Sequence, residues 1–156
     1  MRRSDRAVTA PEEIRGILER CKVCRLAMLD EAGLYIVPLS FGYAFEDGRL
    51  TLYFHSAQEG RKIAALAASP QVAFEMDGGH ELIRGSVPCA FSTNYESITG
   101  TGRAVFCETD AEKIAGLRSI MVHQAGQDFS FTGQMAENVA VFRVEADTYT
   151  AKARRG

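Results

Sequence analysis

The spacing of apolar residues near the start of the chain predicts a helix. Four residues recur at intervals of three, four and seven positions, which places them on one face of a helix over about residues 10–21. These residues are Ile14, Ile17, Leu18 and Cys21. Thr9 and Glu12 fit a capping box at its beginning.

After Val23 the pattern changes to short apolar runs that are separated by turn residues. Gly33 and the pair Asp47-Gly48 divide this part of the chain into three runs, and Asp-Gly between two apolar runs is a strong hairpin signal. We therefore predict three sequential antiparallel strands. Pro38 lies inside the second run and cannot donate a ladder hydrogen bond, so this strand is expected at a sheet edge, bulged or bent there.

The rest of the chain alternates between helical and strand-like patterns. Gly100 and Gly102 lie two apart in a strand pattern, which suggests a bulge or the close approach of another group. The predicted elements are a helix over about 58–68, a strand over 71–77, a long loop over 77–92, a strand over 95–108, a helix over 110–123, a loop or partly helical segment, and a last strand over about 139–152.

This order predicts a mainly β fold with flanking helices. Six strands, mostly linked by short turns, favour an antiparallel sheet that closes into a small barrel with the helices outside. A parallel sheet would need a helix between most strand pairs, and the pattern lacks these. At 156 residues we expect a single domain over 1–156.

Charge and composition exclude several classes of partner. The chain has 18 basic and 20 acidic residues, a net charge of −2, so no overall field attracts nucleic acid or an anionic membrane. The sequence shows neither a run of about 18 apolar residues nor a signal-peptide pattern, and we expect a cytoplasmic protein without membrane contact. P-loop, dinucleotide-binding and serine-hydrolase motifs are absent from the sequence.

The cysteines and histidines do not form a metal or redox motif. Cys21 and Cys24 have CxxC spacing but follow a helix into a strand, the reverse of a thioredoxin-like arrangement. We expect reduced, buried or half-buried thiols. His55, His80 and His123 are too far apart in sequence for a predicted metal site.

The stretch FHSAQEGRK, residues 54–62, allows two interpretations. Ser56 and Glu59 fit a capping box for the second helix. Alternatively, Arg61 and Lys62 lie in the first helical turn, where the helix dipole disfavours cations unless an anion offsets them. From the residues alone both interpretations stay open.

Two segments together resemble the FMN-binding split-barrel proteins related to pyridoxamine 5'-phosphate oxidase, in particular their nitroimidazole-resistance (Nim) branch. The segments are VPLSFGYAFEDGRLTLYFHSAQEGRKIAAL (37–66) and CAFSTNYESITGTGRAVF (89–106). The similarity extends from the first helix to the last strand. It implies a six-stranded split β-barrel and a homodimer with FMN in a cleft at the subunit interface.

The resemblance also assigns expected roles to residues. Ser56 and Lys62, with Arg61 as a helper, match positions at the FMN phosphate. Ala57, in the same His-Ser-Ala motif, is a further expected cofactor-binding residue, and His55 matches a histidine that lines the flavin site. The strand expected along the flavin ring consists of Pro38, Leu39, Ser40 and Phe41. The opposite wall is expected to contain Cys89, Tyr95 and Ser97.

These matches imply an FMN-dependent oxidoreductase that takes electrons from NAD(P)H or another reductant. The expected acceptor is a small electron-poor molecule such as a nitroaromatic, with His55 as the catalytic residue that orients or protonates it. The basic ending DTYTAKARRG is interpreted as a loose, solvated tail, so vitamin B6 oxidation is not expected. Two alternatives are a non-catalytic flavin-binding or flavin-sensing protein and a split barrel that uses haem or deazaflavin.

Overall fold

The computed structural model describes residues 3–155 and consists of one large antiparallel sheet with four α-helices. The strands are β1 (Ala7–Val8), β2 (Val23–Asp30), β3 (Gly33–Ser40), β4 (Gly42–Glu46), β5 (Arg49–Ser56), β6 (Gln71–Ile83), β7 (Ser92–Phe106) and β8 (Ala140–Arg154). The helices are α1 (Pro11–Arg20), α2 (Arg61–Ala68), α3 (Asp110–Ala125) and α4 (Gly133–Glu137), and short 3₁₀ turns occupy Ser4–Arg6 and Pro88–Ala90.

The sheet curls until its two edge strands meet at Phe41. Its strand order is β3-β2-β6-β7-β8-β5-β4, with β1 added beside β8, so β3 and β4 lie at opposite ends of the order. They are nevertheless consecutive in the chain, since β3 ends at Ser40 and β4 begins at Gly42. Two residues span at most about 7 Å, and the sheet therefore closes into a barrel at this point.

The core fills the inside of this barrel and follows from the alternation of apolar residues along the strands. The most deeply buried large side chains include Phe41, Phe54, Phe142, Leu26, Leu52 and Met76. Phe54 and Phe142 stack with their ring centroids 5.3 Å apart. Helix α1 packs against this core through Ile14, Ile17 and Leu18, which confirms the predicted apolar stripe.

The predicted fold class is confirmed, but the number of strands is wrong. The second apolar run forms two strands, β3 and β4, because Phe41 interrupts the ladder. The predicted loop over 77–92 is also too long, since β6 continues to Ile83 and β7 begins at Ser92. A register shift between Gly78 and Glu81 hides the strand periodicity in this segment.

Several local predictions are confirmed. Pro38 lies in β3, an edge strand that pairs only with β2. Asp47 and Gly48 form a two-residue hairpin with φ values of 49° and 76°. A register shift separates Thr101 from Gly102, and an added Cβ at Gly102 would come within 2.4 Å of the Glu145 carbonyl oxygen.

The capping box predicted for the first helix is wrong. The N-cap of α1 is Ala10, and it makes no side-chain hydrogen bond. Pro11 at the first helical position is already fixed in a helical φ and has no N–H that needs an acceptor. A true capping box occurs instead at α3, where Thr109 and Glu112 each accept a backbone hydrogen bond from the other residue.

The four cysteines are free thiols, as predicted. Cys21 and Cys24 are buried, and burial raises the pKa of Cys21 to about 11 and that of Cys24 to about 12. Both are therefore neutral near pH 7, whereas a reactive CxxC pair needs a thiolate. No helix within residues 3–155 combines the length and the apolar character of a membrane span.

Candidate functional site

The amino end of α2 lacks a side-chain cap in the described structure. Its N-cap is Gly60, whose φ of 127° favours glycine. Ser56, which the sequence predicts as the cap, is the last residue of β5 and pairs with Ala140. The capping-box interpretation of residues 54–62 is therefore wrong, and the first N–H groups of α2 have no side-chain acceptor.

Lys62 is an unpaired cation in the first turn of this helix. It makes no hydrogen bond or ion pair within residues 3–155, and it is half-buried. Burial lowers the pKa of Lys62 because the charged form loses water without gaining a partner. The first turn of α2 contains no acidic residue that would offset this charge. An anion that binds here would therefore meet both the helix N-terminus and a lysine.

Arg61 differs from Lys62 because its charge is already compensated. Its guanidinium donates to both carboxylate oxygens of Asp30, at 2.5 and 3.1 Å, and lies 4.3 Å from the centre of the Tyr35 ring. The side-chain hydrogen bond from Arg61 lowers the pKa of Asp30. These contacts join the start of α2 to the β2–β3 hairpin, so Arg61 fixes the position of the helix end while Lys62 keeps its charge available.

His55 lies near the end of β5, one residue before Ser56, and its side chain is exposed. It pairs with Val141 through the backbone only, and its ring has no hydrogen bond or ion pair to any residue that the structure describes. Ala57 follows in the exposed turn that leads to α2. The arrangement leaves a free imidazole within a few residues of the helix end that carries Lys62.

Within the part of the chain that the structure describes, the edge strand β3 pairs on one side only and so presents a free backbone edge. Pro38 and Ser40 are exposed, Leu39 is half-buried against the core, and Phe41 is fully buried. The Phe41 carbonyl accepts hydrogen bonds from the His123 ring at 2.7 Å and from the Gln124 amide at 2.9 Å. The side chain and the carbonyl of Phe41 therefore make their contacts inside the protein. The exposed side chains of this segment are those of Pro38 and Ser40.

The residues expected at the opposite wall lie elsewhere on the protomer. Tyr95 and Ser97 belong to β7, which is three strand spacings from β3, about 14 Å along the sheet. The Tyr95 hydroxyl accepts a hydrogen bond from Arg6 at 3.3 Å, and Cys89 is exposed in the turn between β6 and β7. The β-ladder of one chain therefore does not place these residues next to the edge strand.

The basic C-terminal segment is not a loose tail. Residues up to Arg154 belong to β8, and the Arg154 guanidinium hydrogen-bonds the Ser92 hydroxyl. Arg155 forms ion pairs with Glu13 at 3.3 Å and with Glu96 at 3.8 Å. Glu96 also accepts two hydrogen bonds from Arg20, at 2.6 and 2.7 Å, so acidic residues already compensate Arg20 and Arg155, whereas the partner of Arg154 is a hydroxyl.

Sequence reasoning missed Asp30, Tyr35 and His123, which support the site from outside the quoted motifs. Asp30 and Tyr35 are more than 25 positions from Arg61 in sequence. No local pattern links them, because their contact exists only once the β2–β3 hairpin lies beside α2. His123 has a weak local signal, since a basic residue in the last turn of a helix is favourable there.

The strand order, the closure at Phe41 and the flanking helices define a split β-barrel. It has an exposed strand edge at residues 38–40 and a potential anion site at the start of α2. A family model described as pyridoxamine 5'-phosphate oxidase matches residues 10–153. The chain therefore belongs to this family. No curated protein shows significant similarity to it.

Comparison with solved structures agrees with this assignment. A candidate 5-nitroimidazole antibiotic resistance protein from Bacteroides thetaiotaomicron is 32% identical, with a TM-score of 0.81 over 94% of this chain and 86% of that one. An FAD- and haem-binding protein from Mycobacterium smegmatis is 17% identical, with a TM-score of 0.78 over 97% and 74%. An FAD-binding protein from Mesorhizobium loti is 21% identical, with a TM-score of 0.65 over 96% and 98%. The last two show similarity of fold alone.

Proposed function

We propose that this protein is a homodimeric FMN-dependent oxidoreductase that reduces small electron-poor acceptors such as nitroaromatics. The observation that carries the proposal is the uncapped N-terminus of α2 with the unpaired, half-buried Lys62 in its first turn. It combines with a free sheet edge at residues 38–40 and a free imidazole at His55.

These groups fit the phosphate of a flavin mononucleotide. A phosphate monoester carries about −1.5 to −2 charge near neutral pH, and a helix N-terminus with a lysine is a suitable partner for it. In the proposal Lys62 donates to the phosphate, with Ser56 and Ala57 in the turn around it. Arg61 holds the helix end through Asp30 and adds only a compensated charge.

The edge strand suits the flavin ring. In the proposal the backbone of Pro38, Leu39 and Ser40 lies along one edge of the ring, because this is the side of β3 without a neighbouring strand. FMN bound there would supply the redox chemistry, accepting electrons from NAD(P)H or another reductant and passing them to the acceptor. The free imidazole of His55 orients the acceptor or gives it a proton.

A second copy of the chain supplies the opposite wall. In the proposal Cys89, Tyr95 and Ser97 belong to the partner subunit, and the separation of β7 from the edge strand within one chain, about 14 Å along the sheet, supports this. The outward face of β2 and β3 supports such an interface, since Leu34 is 88% exposed and Ile36 62% exposed. Leu29 and Leu34 are cross-strand partners on this face, which makes the apolar surface continuous.

The acceptor class follows from the relative in Bacteroides thetaiotaomicron, whose description names 5-nitroimidazole antibiotic resistance. A nitroimidazole is small and electron-poor, which suits an open cleft between two subunits. Glu13 and Glu96 already compensate the charge of Arg155 at the end of β8, and this argues against its use for the phosphate of a vitamin B6 substrate.

A turnover assay tests the proposal. FMN-loaded protein should oxidise NADH or NADPH faster when a nitroimidazole, nitrofuran or quinone is added, and His55→Gln should lower this rate about 100-fold while leaving FMN affinity unchanged. His80→Gln, at an exposed histidine that pairs with Asp77, is the matched control and should keep the full rate. FMN binding without stimulated oxidation across the panel would instead identify a flavin-binding or flavin-sensing protein.

A second candidate is a split barrel that binds haem. The unpaired, exposed imidazole of His55 is a possible iron ligand, and the Mycobacterium smegmatis protein of similar fold is described as binding FAD and haem. The absorption spectrum of the protein purified from its own host separates the two, since haem and flavin absorb differently.

A further inference from the structure

The ring of His123 connects two backbone carbonyls from different parts of the fold. His123 lies in the last turn of α3 and is 8% exposed. Its Nδ1 is 2.7 Å from the Phe41 carbonyl oxygen, and its Nε2 is 2.9 Å from the Leu18 carbonyl oxygen. The ring thus joins α3 to the end of α1 and to the point where β3 and β4 meet.

This geometry requires two N–H donors on the ring. Carbonyl oxygens only accept hydrogen bonds, and a neutral imidazole has one N–H, so only the imidazolium satisfies both contacts. Gln124 does not change this conclusion. Its amide nitrogen lies 2.9 Å from the Phe41 carbonyl oxygen and 3.1 Å from that of Lys22, whereas its contact with Nδ1 is 3.4 Å long.

The surroundings of His123 act in both directions on a charged ring. The ring lies at the negative end of the α3 dipole, which favours a cation, whereas its burial disfavours one. The Phe41 and Tyr43 rings pack against the imidazole, with centres 4.5 and 5.2 Å from its own, and hold it in place. Lys22 opposes the charge, since its ammonium group donates to the His123 carbonyl oxygen at 2.6 Å. The titratable and charged groups around the same cleft are Arg15, Glu19, Lys22, Tyr43, Arg118 and Asp128.

We propose that His123, as an imidazolium, is a positioning residue that fixes the edge strand along which FMN binds. The inference about FMN rests on the proposed function. Phe41 directly follows Pro38–Ser40 and closes the barrel, so its carbonyl determines where this segment lies. When the imidazolium loses its proton, a nitrogen lone pair faces a carbonyl oxygen in a buried place, and one of the two contacts must break. FMN affinity should therefore fall as the pH rises through this deprotonation.

Nitrogen NMR of the flavin-free protein tests the protonation state directly. The chain has three histidines, so spectra of His55→Gln and His80→Gln assign the signals. At pH 7 both ring nitrogens of His123 should carry a proton that exchanges slowly with water. A neutral tautomer, with one unprotonated ring nitrogen at pH 7, would overturn the proposal whether or not FMN binds.

A variant tests the positioning role. His123→Gln has a neutral side chain that can donate to only one of the two carbonyls. At pH 7 this variant should bind FMN about tenfold more weakly than the wild type. Its FMN affinity should also lack the part of the pH dependence that comes from deprotonation of His123. The FMN phosphate also titrates, and it does so with both proteins. The FMN affinities of the wild type and the variant are therefore compared as a ratio at each pH, in which the contribution of the phosphate cancels. His80→Gln should match the wild type throughout.

The outcomes are distinguishable. If wild-type protein binds no FMN while both His123 nitrogens are protonated, the proposed function fails and the assignment of the imidazolium stands. If FMN binds but the ratio of the two profiles does not change with pH, the positioning role is contradicted. If His123→Gln does not fold, NMR of the wild type across the pH range tests the positioning role instead. The ring signals of His123 and the signals of residues 38–41 must then change over the same pH range.

Discussion

Replacing Lys62 by methionine should weaken FMN binding by about 1.5–3 kcal/mol, a factor of about 10 to 150. The reason is the loss of a charge-assisted hydrogen bond to the phosphate. The same change should raise the melting temperature of the flavin-free protein by about 1–2 °C, because the charge of Lys62 is partly desolvated and has no partner in residues 3–155. Isothermal titration and thermal unfolding measure the two effects.

Lys113 provides a matched control for this experiment. It lies in the first turn of α3 and is half-buried like Lys62, but it is far from α2 in the chain. Lys113→Met should leave FMN affinity unchanged. Riboflavin, which lacks the phosphate, should bind equally to the wild type and to Lys62→Met. If Lys62→Met binds FMN as tightly as the wild type, the phosphate lies elsewhere.

Ile36→Glu should convert the proposed dimer to a monomer and at the same time abolish FMN binding. Ile36 lies on the apolar outward face of β2 and β3, opposite Ala27 and near Leu34. A carboxylate without a partner in such an interface costs several kcal/mol, so we expect the dimer dissociation constant to rise at least about 100-fold. Analytical ultracentrifugation with and without FMN measures both consequences.

The control for this variant is Met135→Glu. Met135 in α4 is 58% exposed, close to the 62% of Ile36, and it belongs to neither β2 nor β3. This change should leave the proposed dimer intact. A dimeric Ile36→Glu protein that still binds FMN would show that the interface uses another face.

The fold was predictable where the signal is local. Alternating apolar residues identified the strands, and Asp47-Gly48 and Pro38 located a hairpin and an edge. The errors arose where tertiary structure overrides a motif. Ser56 matches a capping box, but pairing with Ala140 keeps it in β5. The register shift after Gly78 interrupts the alternation of apolar and polar residues in a segment that is nevertheless a strand.

The candidate site was predictable only in part, for the same reason. The sequence pointed to Arg61 and Lys62 as neighbouring cations, yet their surroundings differ because Asp30 reaches Arg61 from another hairpin. Phe41 adjoins the exposed edge strand, but its side chain turns into the core. Its carbonyl contact with His123 spans more than 80 positions and has no signature in the sequence.

If each chain contributes a phosphate-binding helix end to a flavin site, the protein should distinguish flavins with a phosphate from riboflavin in a titration. FMN, FAD and riboflavin are added separately to cofactor-free protein, followed by gel filtration and absorption spectroscopy of the protein peak. We expect about one FMN to be retained per chain, and riboflavin to bind more weakly because it lacks the phosphate. Retention of none of the three flavins, or equal affinity for riboflavin and FMN, would contradict it.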